Sequence, residues 1–172
     1  SDFETVKQLS VWLKSNIKGG RGLSEPSEEA LEIMLSGRGG VCSDMAQIFN
    51  NFCVLNEIKV REWGTTSAPF NRDFGGHSFN EVFIRELKKW VLVDISYTIF
   101  FYVDDDVPLS VVEVYELQRT NKNVRHCNFS NSETVTNDVI NQNYLKSGIT
   151  PFLICNYKNS TYDWYLKYTR PW

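Results

Sequence analysis

Histidine is almost missing from this chain, with two in 172 residues, and other scarcities narrow the field as much. The four cysteines (Cys42, Cys53, Cys127 and Cys155) lie far apart, with no Cys-x-x-Cys pair. Zinc sites built from Cys and His use closely spaced ligand pairs, so the chain offers no metal site of the finger type. No apolar run approaches the roughly 20 residues that a membrane-spanning helix needs. No Lys/Arg run is interleaved with aromatics, and the net charge of −3 gives no broad basic surface for nucleic acid. There are no internal repeats and no low-complexity tract. The chain opens Ser1-Asp2-Phe3-Glu4, without an initiator Met or a signal-peptide pattern. It reads as a trimmed piece, so the lack of a targeting segment says little and the compartment stays open.

What is present suits an ordinary globular protein. Apolar residues make up 42% and charged residues 23%, and 172 residues fit a single domain spanning 1–172. The aromatic share of 14% points to an aromatic core, a groove, or both.

Periodicity divides the chain into helices first and strands afterwards. Phe3, Val6, Leu9, Leu13 and Ile17 fall at helical spacing, and Gly19-Gly20 ends that run. Ser24-Glu25-Pro26 reads as the start of a second helix that Gly37 stops. A third runs from Cys42 to about Asn56, with Met45, Ala46, Phe49, Phe52 and Cys53 on its apolar face. The period then changes from about 3.6 to 2. Lys59–Trp63, Phe79–Ile84 and Lys89–Asp94 read as strands, the last two joined by a charged turn. Ser110 caps a short helix through Leu117, and Pro151–Cys155 and Asp163–Tyr168 are expected to pair as two more strands. The polar, loop-rich stretch from about Thr120 to Ser147 shows no period that assigns it. The order predicts an α+β domain, with the third helix central and packed on an antiparallel sheet.

One cysteine stands where chemistry is expected. Arg38-Gly39-Gly40-Val41-Cys42 places it after a glycine-rich turn at the start of the central helix. Helix N-termini carry partial positive charge and backbone N–H groups without helical partners, so a thiol there ionises more easily. His77 and Asp94 both stand on strand-like segments. A thiolate, an imidazole and a carboxylate that fixes the imidazole tautomer are the parts of a nucleophilic triad.

These residues resemble the transglutaminase-like superfamily. Its elements read here as Gly40-Val41-Cys42, then Ala46 and Phe49 on the same helix, then Ile58-Lys59-Val60-Arg61. His77-Ser78-Phe79-Asn80-Glu81 and Trp90-Val91-Leu92-Val93-Asp94 follow. The likeness covers about residues 31–96, and the part from 97 to 172 finds no counterpart in it. It implies a papain-like fold with Cys42 as nucleophile, His77 as general base and acid, and Asp94 as orienter. The family often supplies an aromatic or amide side chain to the oxyanion hole, and Trp12 is the candidate for that place. Pro often follows the aspartate in the family; here Ile95 does.

The resemblance implies a thiol acyl-transfer enzyme that needs no cofactor and no metal. Resolution of the acyl-enzyme by water would make it a cysteine peptidase or amidase, and resolution by a lysine amine a protein-glutamine transglutaminase. The partner is then a peptide or protein substrate, cell-wall peptides included. Arg38-Gly39-Gly40-x-Cys42 also resembles arylamine N-acetyltransferases, which are longer and normally carry Asp-Val-Gly where this chain has Asp94-Ile95-Ser96. A binding module that keeps the fold without turnover is the alternative from outside enzymology. Cys53 reads as a core residue, His126 as a surface histidine, and Cys127–Cys155 as an open disulfide pairing. The aromatics Tyr162, Trp164, Tyr165, Tyr168 and Trp172 read as core, partner contact or groove.

Overall fold

A computed structural model describes residues 1–104, 106–130 and 135–154. Three helices come first: α1 (Asp2–Asn16), α2 (Ser27–Leu35) and α3 (Cys42–Leu55). Strands β1 (Val60–Ser67), β2 (His77–Ile84), β3 (Lys89–Val93) and β4 (Ile99–Tyr102) follow. Next come α4 (Val111–Arg119), β5 (Arg125–Asn128), α5 (Asn137–Ile140), a π-helical turn (Asn141–Leu145) and β6 (Ile149–Ile154). The main sheet is antiparallel in the order β3-β2-β1-β6, and β4 and β5 form a separate antiparallel pair. The mixed helices and antiparallel sheet make the expected α+β domain.

Alternation along the sheet makes two cores, one on each face. Val82, Ile84, Val91 and Val93 turn toward α1–α3 and meet Val6, Leu13, Met34, Ile48 and Phe49. Phe79 and Leu92 turn the other way, toward Val111, Val114, Ile140 and Tyr144. Met45, Ala46, Ile48, Phe49 and Cys53 bury one side of α3, which fixes the axis of that helix against the sheet. Each fully buried large side chain contributes about 1.5–3 kcal/mol of transfer free energy, so the direction of α3 is strongly determined.

Buried carboxylates tie these layers together. Glu81, fully buried on β2, accepts at Oε2 from Arg61 Nε (2.6 Å) and Trp63 Nε1 (2.9 Å). Its Oε1 accepts the Val111 N–H at the start of α4 (3.0 Å). Arg61 also lies over the Trp90 ring, 4.1 Å from its centroid. Asp2, at the start of α1, accepts from the backbone N–H (3.0 Å) and Nε (2.7 Å) of Arg85 in the β2–β3 turn. That bonding outweighs burial and lowers the Asp2 carboxyl below its ordinary value.

Three local expectations change. The second helix begins at Ser27 rather than at Ser24, which sits at φ 56° in the loop, with Pro26 in the cap position. Proline lacks an N–H, which costs nothing at a helix start, where that donor has no helical partner. The loop-rich stretch from 120 to 147 resolves into β5, α5 and the π-turn. These pieces have four or five residues each, too short for a hydrophobic period to emerge. The strand containing Pro151 pairs with β1, Pro151 opposite Thr65, and so extends the main sheet. Its expected partner Asp163–Tyr168, Cys155 and the C-terminal aromatic cluster lie outside the described residues.

No helix among the described residues is long and apolar enough to cross a membrane.

Candidate active site

The turn before α3 aims Cys42. Gly40 adopts φ 112°, which L side chains rarely take, and its N–H donates to the Arg21 carbonyl (2.9 Å). Asp44, in the first turn of α3, accepts the N–H of Val41 (3.0 Å) and of Leu23 (3.2 Å) through Oδ2. One buried carboxylate thus locks the loop at 21–23 to the start of the helix and complements its dipole. A Cβ at Gly40 would meet Met34 Cε at 2.8 Å and Cγ at 2.9 Å, and Met34 is itself fully buried. Gly40→Ala is therefore expected to cost about 1–3 kcal/mol through strain and overpacking. Denaturant unfolding would read that loss, and alkylation of Cys42 should slow as its helix start shifts.

His77 and Asp94 meet because of strand register. In the β2–β3 pairing Asn80 faces Val93, so one step further Asp94 falls opposite Phe79. His77 precedes Phe79 by two residues and shares its face, which makes His77 and Asp94 diagonal neighbours across the strands. His77 Nε2 lies 2.5 Å from Asp94 Oδ2. That contact occupies one ring nitrogen, Nε2, and leaves Nδ1 free of Asp94. The imidazole is buried, and the Tyr97 ring stacks on it with centroids 5.2 Å apart.

Asp94 is fully buried and fully engaged. Its Oδ1 accepts the Tyr97 N–H (3.2 Å), and its Oδ2 accepts from the Tyr144 hydroxyl as well as from His77. Its backbone closes a two-way bridge with Ile99, with both N···O distances at 3.2 Å.

The electrostatics follow from these contacts. Burial raises the Cys42 thiol, but the hydrogen bond and charge of His77 and the Ser78 N–H outweigh it, and the net shift is downward. Burial likewise disfavours the charged form of His77, yet Asp94 and the thiolate on either side raise it overall. The arrangement favours a thiolate–imidazolium pair held by a carboxylate.

Trp12 does not join this group. Its ring packs on Phe52, centroids 5.8 Å apart, about 15 Å along α3 from Cys42 at the ordinary helical rise. The buried stripe of α1 is Val6, Ser10 and Leu13, which puts Trp12 on the flank, 45% exposed. Helical spacing alone does not say which end of α3 that flank crosses. His126 sits on β5 opposite Phe101, and the adjacent Cys127 is exposed. Cys53 is buried in the core, where burial pushes its thiol up.

Two residues at the site have no sequence signal that would place them. Tyr97 reaches His77 through the turn after β3, and Tyr144 reaches Asp94 from the π-turn. A cleft of about 470 Å³ runs along α3 from Ser43 past Asn50 to Val54, with Glu62 in its wall, and neither Cys42, His77 nor Asp94 lines it. Burial pushes the Glu62 carboxyl up to about 7, against the lowering bond from Asn50 Nδ2 (3.2 Å). Among the described residues, no group of three or more His, Cys, Asp or Glu is placed to hold a metal ion.

A cysteine at a helix start, facing a His–Asp pair on adjacent antiparallel strands, defines a class of α+β domain built around a thiol. The sequence model of the transglutaminase-like superfamily matches residues 1–95, more than half of the chain, and the chain belongs to that superfamily. The match takes in Cys42, His77 and Asp94 and stops before Tyr97 and Tyr144. No curated protein and no solved structure matches the sequence.

Proposed function

We propose that the protein is a thiol acyl-transfer enzyme acting on carboxamide or peptide bonds. The observation that carries this reading is the buried His77–Asp94 pair (Nε2···Oδ2 2.5 Å), with the Cys42 thiol lowered by His77. Cys42 attacks the carbonyl carbon, and the S–C bond forms as the carbonyl π pair moves onto oxygen. The N–H groups in the first turn of α3 have no partner within the helix and suit that developing oxyanion better than Trp12 does. His77 then delivers its proton to the leaving amine as the C–N bond breaks, which leaves a thioester. A water deprotonated by His77 attacks the thioester, releasing the acid and the thiol.

Hydrolysis, as in a cysteine peptidase or amidase, is the preferred resolution. An incoming lysine amine at the same step would make the enzyme a transglutaminase. Peptides and proteins are the substrate class, since they carry the amide carbonyl that this chemistry needs.

Iodoacetamide labelling between pH 4 and 9, with the label located by mass spectrometry, tests the proposal. A lowered thiol pKa means that the thiolate survives as the pH falls below the ordinary thiol range. Labelling at Cys42 should therefore stay fast well below pH 8, and His77→Ala should move its apparent pKa up. Slow labelling that ignores the His77 substitution would overturn the enzyme reading.

A further inference from the structure

The carboxylate of the triad is shared with a residue outside the stretch that matches the superfamily. Tyr144 belongs to the π-turn Asn141–Leu145, in which the Lys146 N–H returns five residues to the Asn141 carbonyl (2.7 Å). Such turns are wider than an α-helical turn and are frequent at functional sites. This one seats the Tyr144 ring among His77, Phe79 and Phe101, with centroids 5.5, 5.2 and 5.0 Å away, and the ring meets His77 edge-on. The residue is 5% exposed, so its hydroxyl needs an internal partner. It finds Asp94 Oδ2, the same oxygen that faces His77 Nε2. An ionised carboxylate only accepts, so the phenol is the donor.

We propose, resting on the triad reading above, that Tyr144 is a positioning residue that sets how strongly Asp94 holds the His77 imidazolium. With two donors on Oδ2 and the Tyr97 N–H on Oδ1, Asp94 has one orientation and a divided negative charge. A divided charge stabilises the imidazolium less, so His77 can still release its proton to a leaving amine. Asn143, one residue earlier in the turn, donates to the Tyr97 hydroxyl (3.1 Å) and holds the ring stacked on His77. The π-turn thus braces the imidazole from two sides. The titratable groups facing that ring are Cys42 from α3, Asp94 and Tyr97 from the turn after β3, and Tyr144 itself.

The test is the pH profile of Cys42 alkylation by iodoacetate in the full chain, for wild type, Tyr144→Phe and Phe101→Leu. Iodoacetate is anionic, so its rate falls when the imidazolium beside the thiolate loses its proton. Tyr144→Phe keeps the ring and removes only the donor. It should move the alkaline limb up by about half a unit to one unit, with the melting temperature close to that of wild type. The downfield proton resonance of His77 Nε2–H should shift in the same variant. Phe101→Leu loosens the packing around Tyr144 but leaves its hydroxyl, and should leave the limb in place. An unchanged limb in Tyr144→Phe, or equal shifts in both variants, overturns the positioning role while a bell-shaped wild-type profile keeps the triad. A wild-type profile with no alkaline limb at all would overturn the triad reading and this inference with it.

Discussion

Cys42→Ala is expected to abolish turnover of any peptide amide that the wild-type chain accepts, lowering kcat by a factor on the order of 10⁴ or more. The loss should be this large because the remaining described thiols cannot stand in. Cys53 is buried in the core with its thiol raised, and Cys127 is exposed on β5, the strand paired with β4 outside the main sheet. The fold should survive, since alanine is a good helix former and Cys42 occupies the first position of α3. Steady-state kinetics on wild type and variant, with intact-mass detection of an acyl-enzyme in the wild type alone, make the comparison. Turnover that persists in Cys42→Ala would mean that the chemistry lies elsewhere.

Glu81→Ala should produce the largest loss of stability from a single side chain, about 3–5 kcal/mol. Its carboxylate is fully buried and serves three donors from three parts of the fold: Arg61, the Trp63 indole and the Val111 N–H. Alanine would leave a guanidinium without this counter-ion and two buried donors without their acceptor, and each unsatisfied group keeps its desolvation cost. Denaturant unfolding gives the number, and a change below about 1 kcal/mol would show that these donors find other acceptors. Glu81→Gln keeps the volume but turns one acceptor into a donor, so its cost should lie between alanine and wild type. Either variant also loosens β2 four residues from His77, so slower Cys42 alkylation should accompany the lost stability.

The candidate site was legible in part, for reasons that differ from residue to residue. Cys42 stands out because a glycine turn followed by a helical period is a local signal, and α3 indeed begins there. His77 and Asp94 are readable because both bound strands with clear alternation. The strand pairing that makes them diagonal neighbours needs only a short turn between β2 and β3. Glu81 stands in the same stretch, but its three donors come from β1 and from the start of α4, which no spacing announces. Trp12, the oxyanion candidate by resemblance, packs on Phe52 instead, because a helix period ranks faces without saying what each face meets.

The short-range choices of this fold therefore follow from local sequence. These are the helix that starts at Cys42, the alternation that divides β2 and β3 between two cores, and the capping of α4 by Ser110 and Glu113. Each depends on residues within about one or two turns, where steric and hydrogen-bonding preferences act directly. Long-range packing alone joins β6 to the main sheet beside β1, pairs β4 with β5, and brings Tyr144 to Asp94 through a π-turn. Those contacts join residues tens of positions apart. They hold because a buried carboxylate and a buried phenol each need a partner, and the packed fold brings the two together.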